Sequence, residues 1–390
     1  MKDTKDYKIA TKLAHLSSRP EEYNGLVNTP VHRASTIIIK DFDGFQNCFQ
    51  APYRYGREGT PSSKAFEQAV ATLDNAYNAI ATSSGLAAII SVLNAYARPG
   101  KTLLLPDNFY GFSRGYCQET LAEFGVNCKY YTPMIDEEDL RAMIDDSVSL
   151  IYLESPGSLT YEVQDIGMFV KVAQEFNIPT ACDNSWATPV NFKPLDHGID
   201  ISIISATKYI SGHSDAMLGV VSCKDKETYE RVLKTVRQSG NCPGSEEVYF
   251  GLRGLRTLDV RLARHAEAGL KLARWLQSHD AVKTVLHPAL EGSAGHENWK
   301  KYFDGASGVF AVVLHEMDCK KIEKFLNNLN IFQMGFSWGG YESLIFPEQL
   351  SDWRISKPWD GDGYLMRVHA GLENMDDLQA DLEQALNFLK

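Results

Sequence analysis

Short apolar segments alternate with amphipathic helical segments over residues 61–222, and this alternation constrains the fold more than any other feature of the chain. Strands separated by helices, rather than by tight turns, predict an open and mostly parallel sheet with both faces covered. Ligands of such sheets bind at the carboxyl ends of the strands. The predicted strands are 79–82, 102–105, 128–131, 150–154, 180–183, 201–205 and 217–222, and the predicted helices are 62–75, 86–96, 113–124, 137–144 and 168–176.

The segments on either side of this α/β region have different patterns. Residues 1–58 carry short apolar pieces interrupted by prolines, without a sustained helical period. A long helix is predicted at 256–279, and strands at 309–314 and 364–369 with helices at 320–329 and 376–389 form a smaller unit. We therefore expect an N-terminal arm (1–58) that contacts a neighbouring subunit, an α/β domain (59–254) and a C-terminal α+β domain (255–390).

Charge and composition exclude several classes of partner. The net charge is −11, and no block of basic residues is present, so neither nucleic acid nor an anionic membrane is an expected partner. The apolar runs are too short to cross a bilayer, and the first residues lack a secretion signal or transit peptide, which favours the cytoplasm. The seven cysteines are scattered without a Cys-x-x-Cys pair, so we expect reduced thiols and no bound metal.

Lys208 is the residue that most directly suggests a chemistry. It is the only lysine between Lys193 and Lys224, and it follows the apolar strand 201–205. An isolated amine at the end of such a strand suits a covalent link to an aldehyde cofactor, and pyridoxal phosphate is the cofactor that requires one. The sequence therefore predicts a pyridoxal phosphate site at this edge of the sheet.

Two further side chains at strand ends could contact the cofactor ring. Asp183 closes the strand 180–183 and could hold the proton on the ring nitrogen, although a turn aspartate that caps a helix would have the same position. Tyr110 follows the strand 102–105, and its ring could lie on the cofactor or pack on the rim of the site.

A small-residue turn at 82–89 is the candidate phosphate site. Gly85 allows close approach of the backbone at the positive end of a helix, and the hydroxyls of Ser205 and Thr207 could add donors. An ordinary helix cap would look the same. Arg57 could add a charge-assisted hydrogen bond, or it could be an exposed loop arginine.

Arg367 interrupts an otherwise apolar strand near the C-terminus. A buried arginine needs an anionic partner, and the α-carboxylate of a substrate would serve. An internal ion pair with Glu373 or Asp376 is the alternative.

Taken together, these motifs resemble the Cys/Met-metabolism family of pyridoxal phosphate-dependent enzymes over nearly the whole chain. The most specific motifs are Ser-Ala-Thr-Lys-Tyr at 205–209 and Gly-His-Ser-Asp at 212–215, and Tyr-Gly-Arg at 55–57 adds to them. The resemblance implies the fold type I, aminotransferase-like architecture of pyridoxal phosphate-dependent transferases. It also implies a homotetramer built from two dimers whose subunits share their active sites.

The resemblance implies a role for each candidate residue. Lys208 links to the cofactor and, with Tyr110, is catalytic, while Asp183 pairs with the ring nitrogen and Tyr110 stacks on the ring. The phosphate is held by Gly85, Leu86, Ser205 and Thr207, and by Tyr55 and Arg57 from a neighbouring subunit; the substrate carboxylate is held by Ser337, Trp338 and Arg367.

Two local motifs favour β-elimination over γ-chemistry within the family. Phe-Ser-Trp at 336–338 and Glu-Ser-Pro-Gly-Ser-Leu at 154–159 resemble the β-eliminating members, which implies cleavage of L-cystathionine. A cystathionine γ-lyase, a cystathionine γ-synthase or a methionine γ-lyase is the nearest alternative, and a catalytically silent pyridoxal phosphate-binding protein is a more distant one. A nicotinamide dehydrogenase is disfavoured because no Gly-x-Gly-x-x-Gly follows an early strand. Around Arg237 the chain departs from the β-lyase pattern, which leaves the substrate range open.

Overall fold

Two sheets form the frame of the protein in the computed structural model, which describes residues 7–348, 354–356, 359 and 363–389. The first sheet has the strand order β1-β7-β6-β5-β4-β2-β3, and the second has the order β10-β11-β12-β9-β8. The strands are β1 Asn78–Thr82, β2 Thr102–Pro106, β3 Asn127–Tyr131, β4 Val148–Glu154, β5 Thr180–Asp183, β6 Ile201–Ile204, β7 Gly219–Cys223, β8 Val282–Leu286, β9 Val309–Leu314, β10 Gln333–Met334, β11 Leu344–Glu348 and β12 Tyr364–His369.

Helices cover both faces of the first sheet and one face of the second. Their starts follow local signals: Thr60 caps α3 in a capping box with Ser63, and Pro61 takes the first helical position, where no N–H is needed. The helices are α1 Ile9–His15, α2 Phe42–Gln46, α3 Pro61–Leu73, α4 Gly85–Tyr96, α5 Gly111–Gly115 (continued by a π-helical turn, Tyr116–Leu121), α6 Glu137–Ala142, α7 Ile166–Glu175, α8 Thr188–Asn191, α9 Lys226–Gln238, α10 Ser245–Leu255, α11 Leu258–Gln277, α12 His296–Tyr302, α13 Cys319–Asn327 and α14 Met375–Leu386.

The first sheet is parallel except for β7, as the alternating pattern predicts. β7 runs antiparallel to both of its neighbours, β1 and β6. Successive residues of each strand enter different cores: Ile203 packs with α4 and α9, whereas Ile204 packs with α3 and α10 on the opposite face. Burial on both faces explains why these strands are apolar throughout instead of alternating with polar residues.

One face of the second sheet packs against the first unit, which is the first sheet with its covering helices. Ala311 and Leu365 belong to the core that contains α7 and β4, whereas their neighbours Val312 and Met366 pack with α11, α13 and α14. Arg367 lies opposite Ala311 on β12, and therefore on the face that meets the first unit.

The fold differs from the prediction in several places. The sequence analysis does not predict α9, α12, β8 or β11. The N-terminal arm contains a two-turn helix, α1, whose Leu13 is buried. A helix of two turns is too short to show a helical period in the sequence. The helix predicted at 256–279 is preceded by a separate helix, α10, which the sequence pattern does not reveal. Gly251 and Gly254 lie on the buried face of α10, at positions where apolar side chains would otherwise show a helical period. Neither position has room for a side chain: a Cβ would lie 2.6 Å from Leu218 at Gly251 and 2.0 Å from the Ile210 carbonyl oxygen at Gly254. The domain limits at 58 and 254 stay predictions.

Across the described residues, no helix combines the length and apolarity needed to cross a bilayer. In the same residues, no three His, Cys, Asp or Glu side chains converge in a way that could hold a metal ion.

Asp74, which ends α3, is fully buried beside Ser202 and Ser222 on neighbouring strands. Burial raises the pKa of Asp74 from 3.8 to about 7. An aspartate is ionised in the unfolded chain above its ordinary pKa, so the folded chain binds one more proton between these values. The contribution of Asp74 to stability is therefore fully present below pH 3.8 and is lost as the pH rises to about 7.

The free energy of unfolding should fall between about pH 5 and about pH 8, because folded Asp74 must lose its proton. Asp74→Asn imitates the protonated acid, so we expect this fall to be smaller in the variant by on the order of 2 kcal/mol. Urea midpoints at the two pH values measure the effect, with Asp377→Asn on the exposed start of α14 as the control. An unchanged pH dependence in Asp74→Asn would contradict the assignment.

Candidate active site

The six parallel strands of the first sheet end at the same edge, and five of them lead into the site. β1 ends at Thr82, β2 at Pro106, β4 at Glu154, β5 at Asp183 and β6 at Ile204. The segments that follow them carry most of the predicted site residues, since parallel strands direct the loops after them to the same side of the sheet.

Lys208 lies in a tight turn directly after β6. The turn is held by the buried Arg261, whose guanidinium donates to the carbonyl oxygens of Tyr209 at 2.7 Å and Ile210 at 3.3 Å. The Nζ atom of Lys208 donates to Ser337 Oγ at 2.5 Å and lies 5.2 Å from the centroid of the Trp338 ring. The predicted cofactor lysine and two predicted substrate-binding residues are therefore in contact across 129 residues of sequence.

The electrostatic setting of Lys208 favours the neutral amine. Burial, together with the positive charge of Arg367, lowers the pKa of Lys208 to about 7, and the negative charge of Asp183 opposes this shift. A lysine in this state is a nucleophile and a base near neutral pH, which is rare for an ordinary amine.

Asp183 is buried at the end of β5, with only 8% of its surface exposed. Its Oδ1 accepts a hydrogen bond from the backbone N–H of Ser185 at 2.8 Å, so it does stabilise the local turn. Burial raises the pKa of Asp183, while the bonds to Ser185 and the charge of Lys208 oppose the rise. Within the described residues Asp183 has no ion-pair partner, so its carboxylate can receive a cationic group.

Glu154 is a buried acid that the sequence analysis does not assign. Its Oε2 accepts from the backbone N–H of Tyr110 at 2.9 Å. Burial and the nearby charge of Asp183 raise the pKa of Glu154 well above its ordinary value. Its signal in the sequence is its position at the end of an apolar strand, which is the same signal that identified Asp183.

The predicted phosphate turn has the geometry of an anion site. Ser84 caps α4 by accepting from the N–H of Ala87 at 3.1 Å. The N–H groups of Gly85 and Leu86 have no acceptor among the described residues. A Cβ on Gly85 would come within 2.4 Å of Ser205 Oγ, so only glycine fits against the loop after β6. Two free N–H groups at a helix start suit a phosphate.

Thr207 is engaged differently from the expectation. Its hydroxyl donates to the Leu218 carbonyl oxygen at 3.1 Å and accepts from the Leu218 N–H at 2.9 Å. The hydroxyl therefore ties the turn of Lys208 to the segment before β7. Its bond to a phosphate stays a prediction.

Arg367 projects from β12 and stacks on Phe346, the residue opposite it on β11, with 5.2 Å between the guanidinium carbon and the ring centroid. Its Nη2 donates to the Gly335 carbonyl oxygen at 2.9 Å. The alternative internal ion pair is not formed, because Glu373 accepts from Ser343 and Asp376 pairs with Lys271. The guanidinium keeps donors for a carboxylate ligand.

The turn that carries Ser337 and Trp338 approaches the backbone of Lys208 closely. A Cβ on Gly339 would lie 2.9 Å from the Lys208 carbonyl carbon, and the φ of Gly339 is +90°. The Gly339 N–H donates to Nε2 of the fully buried His369 at 3.1 Å. Burial lowers the pKa of His369 well below its ordinary value, so the ring is neutral and can accept. Sequence reasoning missed both residues.

Tyr110 and the pair Tyr55 and Arg57 have different relations to this site. Tyr110 is 38% exposed at the start of α5, close enough to Glu154, Arg367 and Asp183 for their charges to affect its pKa. Tyr55 and Arg57 instead line another cavity of the described chain, with Arg237 and Asn241. Arg57 is exposed and donates to the Arg237 carbonyl oxygen at 3.2 Å. A single copy of the chain does not bring this pair to Lys208.

Comparison with known proteins identifies the family. The family model described as Cys/Met metabolism PLP-dependent enzyme matches residues 10–387. The chain belongs to this family. Cystathionine beta-lyase MetC of Escherichia coli K12 is 37% identical in an alignment of 390 positions that covers 97% of this chain and 98% of the relative. The L-alanine/L-glutamate racemase of Wolbachia pipientis wMel is 36% identical in an alignment of 380 positions that covers 94% of this chain and 93% of the relative.

A solved structure described as metB from Corynebacterium glutamicum matches with a TM-score of 0.91 and 31% identity over 100% of both chains. The predicted fold type I architecture is thereby confirmed. As a member of the Cys/Met metabolism family, the protein is an enzyme, and its cofactor is pyridoxal phosphate. The site fits this cofactor, because it combines a desolvated amine at Lys208, a buried carboxylate at Asp183 that forms no ion pair among the described residues, and a turn at Gly85 in which a Cβ would occupy the space against Ser205.

In the cofactor-free protein, the acylation of Lys208 should titrate with a midpoint at about pH 7. Arg367→Gln should raise this midpoint because it removes a neighbouring positive charge, and Asp183→Asn should lower it because it removes a negative one. Mass spectrometry of the labelled peptide measures the midpoint, with Arg141→Gln on the remote α6 as the control. A shift in the same direction in both variants would refute the electrostatic explanation.

Proposed function

We propose that the protein is a carbon–sulfur lyase that cleaves L-cystathionine by β-elimination to homocysteine, pyruvate and ammonia, a step of transsulfuration used in methionine biosynthesis. The observation that carries the proposal is the contact of Lys208 with Ser337 and Trp338. Its Nζ lies 2.5 Å from Ser337 Oγ and 5.2 Å from the centroid of the Trp338 ring. Ser337 and Trp338 belong to the Phe-Ser-Trp motif at 336–338 that resembles the β-eliminating members of the family. The name of the Escherichia coli relative supports the same activity.

Arg367 and Ser337 would bind the α-carboxylate of the substrate. Burial lowers the pKa of Arg367, but the group stays cationic at neutral pH, and its face is already oriented by Phe346. A planar guanidinium grips a carboxylate through two parallel hydrogen bonds, which fixes the direction in which Cα and Cβ extend from it. The Trp338 ring lies beside Nζ of Lys208 and would exclude water from the space between them.

Lys208 would act as the base that removes the Cα proton of the substrate. Because its pKa is about 7, a large part of the amine is neutral at neutral pH, and Nζ can then accept the proton without first losing one to solvent. When bound, pyridoxal phosphate supplies a ring that spreads the negative charge left at Cα. Asp183 would hold a proton on the ring nitrogen through its buried carboxylate, which maintains the ring as an electron acceptor.

Tyr110 or protonated Lys208 would deliver a proton to the sulfur that leaves Cβ. Burial and the charge of Glu154 raise the pKa of Tyr110, so its hydroxyl is protonated at neutral pH and can donate. Its backbone N–H is tied to Glu154 at 2.9 Å, which limits movement of the ring.

We also propose that the enzyme is a cytoplasmic homotetramer of two dimers with shared active sites. Tyr55 and Arg57 do not reach Lys208 within one chain, so they are available to a neighbouring subunit. The arm exposes large apolar side chains, with Ile38 at 86%, Phe42 at 72% and Phe49 at 80%. Surfaces of this kind suit a protein interface, and a second copy of the chain is the proposed partner.

Purified protein supplied with pyridoxal phosphate and L-cystathionine should produce pyruvate, and Lys208→Ala should lose activity by at least about 10³-fold because it removes both the cofactor link and the base. Chromatography of the keto acid and the thiol measures the outcome. 2-Oxobutyrate with cysteine would instead establish γ-elimination. Racemisation of alanine or glutamate without keto acid would favour the activity named for the Wolbachia relative.

Coexpression of Arg57→Ala with Lys208→Ala should restore activity that neither variant has alone. Each mixed dimer would contain one site with both native residues, so random pairing should recover about a quarter of the wild-type activity. Two Lys208→Ala chains with different tags are the control for the assembly. If the mixture stays as inactive as its parents, Arg57 does not act across subunits.

A further inference from the structure

A buried carboxylate joins the two sheets beside the active site. Asp107 follows β2, and its side chain is fully buried with the guanidinium of Arg114 at 3.1 Å. Its carboxylate also accepts from the N–H groups of Ile355 at 2.9 Å and Ser356 at 2.8 Å, and from the Ser356 hydroxyl at 2.7 Å. Residues 355 and 356 lie in the connection between β11 and β12 of the second sheet.

A second buried pair makes the same link. Nη2 of Arg354 donates to Glu162 Oε1 at 2.7 Å and to Thr160 Oγ1 at 2.6 Å, and the Arg354 and Glu162 side chains are 8% and 13% exposed. The other oxygen of Glu162 accepts from Nδ2 of Asn108 at 3.0 Å. Residues 160 and 162 follow β4, so both pairs join the β11–β12 connection to loops at the active-site edge of the first sheet.

We call these contacts of Asp107 and Glu162 with residues 354–356 the clasp. Asp107 and Asn108 directly precede Phe109 and Tyr110, so the clasp holds the loop that ends in Tyr110. The Tyr110 N–H bond to Glu154 fixes the far end of the same loop. On its other side the clasp continues through the chain into β12, which carries Arg367.

The chemistry of the clasp exceeds what a surface connection needs. A carboxylate such as that of Asp107, which accepts from at least four donors in the described part of the chain, is costly to desolvate, and the cost is recovered only when every bond is made. Such a network has one low-energy geometry, which makes it suited to hold two elements at a fixed separation.

We propose that Arg354 and Asp107 are positioning residues of the active site, which fix the distance between Tyr110 and Arg367 by fastening the β11–β12 connection to the Tyr110 loop. The proposal rests on the proposed roles of Tyr110 and Arg367. The cofactor ring would then be covered at the same place in every molecule before substrate arrives, and a loosened clasp would leave the substrate bound with the proton donor displaced.

Arg354→Gln tests the proposal, because glutamine keeps most of the length of the side chain and removes the charge. We expect kcat to fall about 10- to 100-fold while the KM for L-cystathionine changes less than about 3-fold, since a displaced catalytic group affects the reacting geometry more than binding. Arg354→Lys should recover most of the activity. Arg141→Gln, which breaks ion pairs to Glu137 and Glu175 far from the site, is the matched control and should keep wild-type kinetics.

A double-mutant cycle separates positioning from general stability. If Arg354 acts through Tyr110, Arg354→Gln should cost less than about 3-fold in kcat when Tyr110 is already alanine. Equal costs in both backgrounds would overturn the proposal, as would wild-type kinetics in Arg354→Gln and in Asp107→Asn.

Hydrogen exchange tests the clasp without turnover. In holoenzyme carrying Arg354→Gln, the backbone N–H of Tyr110 should exchange at least about 10-fold faster than in the wild type, while the strands of the second sheet keep their protection. Unchanged exchange at Tyr110 would refute the proposal. This readout stands even if L-cystathionine proves not to be a substrate, so a failure of the clasp and a failure of the proposed function give different results.

Discussion

Removal of the Lys208 amine from water is the constraint around which the site is organised. An ammonium group loses much of its solvation at this edge of the sheet, and the cation of Arg367 makes the charged form still less favourable. Asp183 works in the opposite direction, but its effect on the pKa of Lys208 is smaller than the effects of burial and of Arg367. The pKa of the amine is therefore about 7. The other residues of the site hold the backbone segments that carry Lys208, Arg367 and Asp183.

These supporting residues come from distant parts of the chain. Arg261 on α11 holds the turn of Lys208 through two carbonyl groups, and His369 on β12 holds Gly339 against the same turn. Each support is a buried polar group that reaches this turn across more than 25 residues of sequence. Loss of either would affect the amine indirectly, through the backbone that carries it.

The sequence predicts the first sheet well because its strands are short, apolar and separated by helices, and each of these properties is local. It predicts Lys208, Asp183 and Gly85 for a related reason: each directly follows a strand whose end is visible in the pattern. It misses α10, where glycines replace the apolar side chains, and it misses His369 and the clasp, because contacts such as Asp107 with Ser356 connect residues 249 positions apart. Tyr55 and Arg57 do not reach Lys208 within one chain, so their predicted contact with the phosphate depends on the proposed neighbouring copy.

The pairing of β11 with β12 has a consequence for how enzymes of this type can be altered. Phe346 opposite Arg367 and Leu344 opposite His369 set the parity of the strand, so a slip by one position would turn the guanidinium into the hydrophobic core on the far side. Insertions or deletions in the connection between the two strands leave that parity intact. Changes to this connection that spare residues 354–356 would therefore keep both the carboxylate grip and the clasp, whereas any shift inside the ladder itself would be destructive.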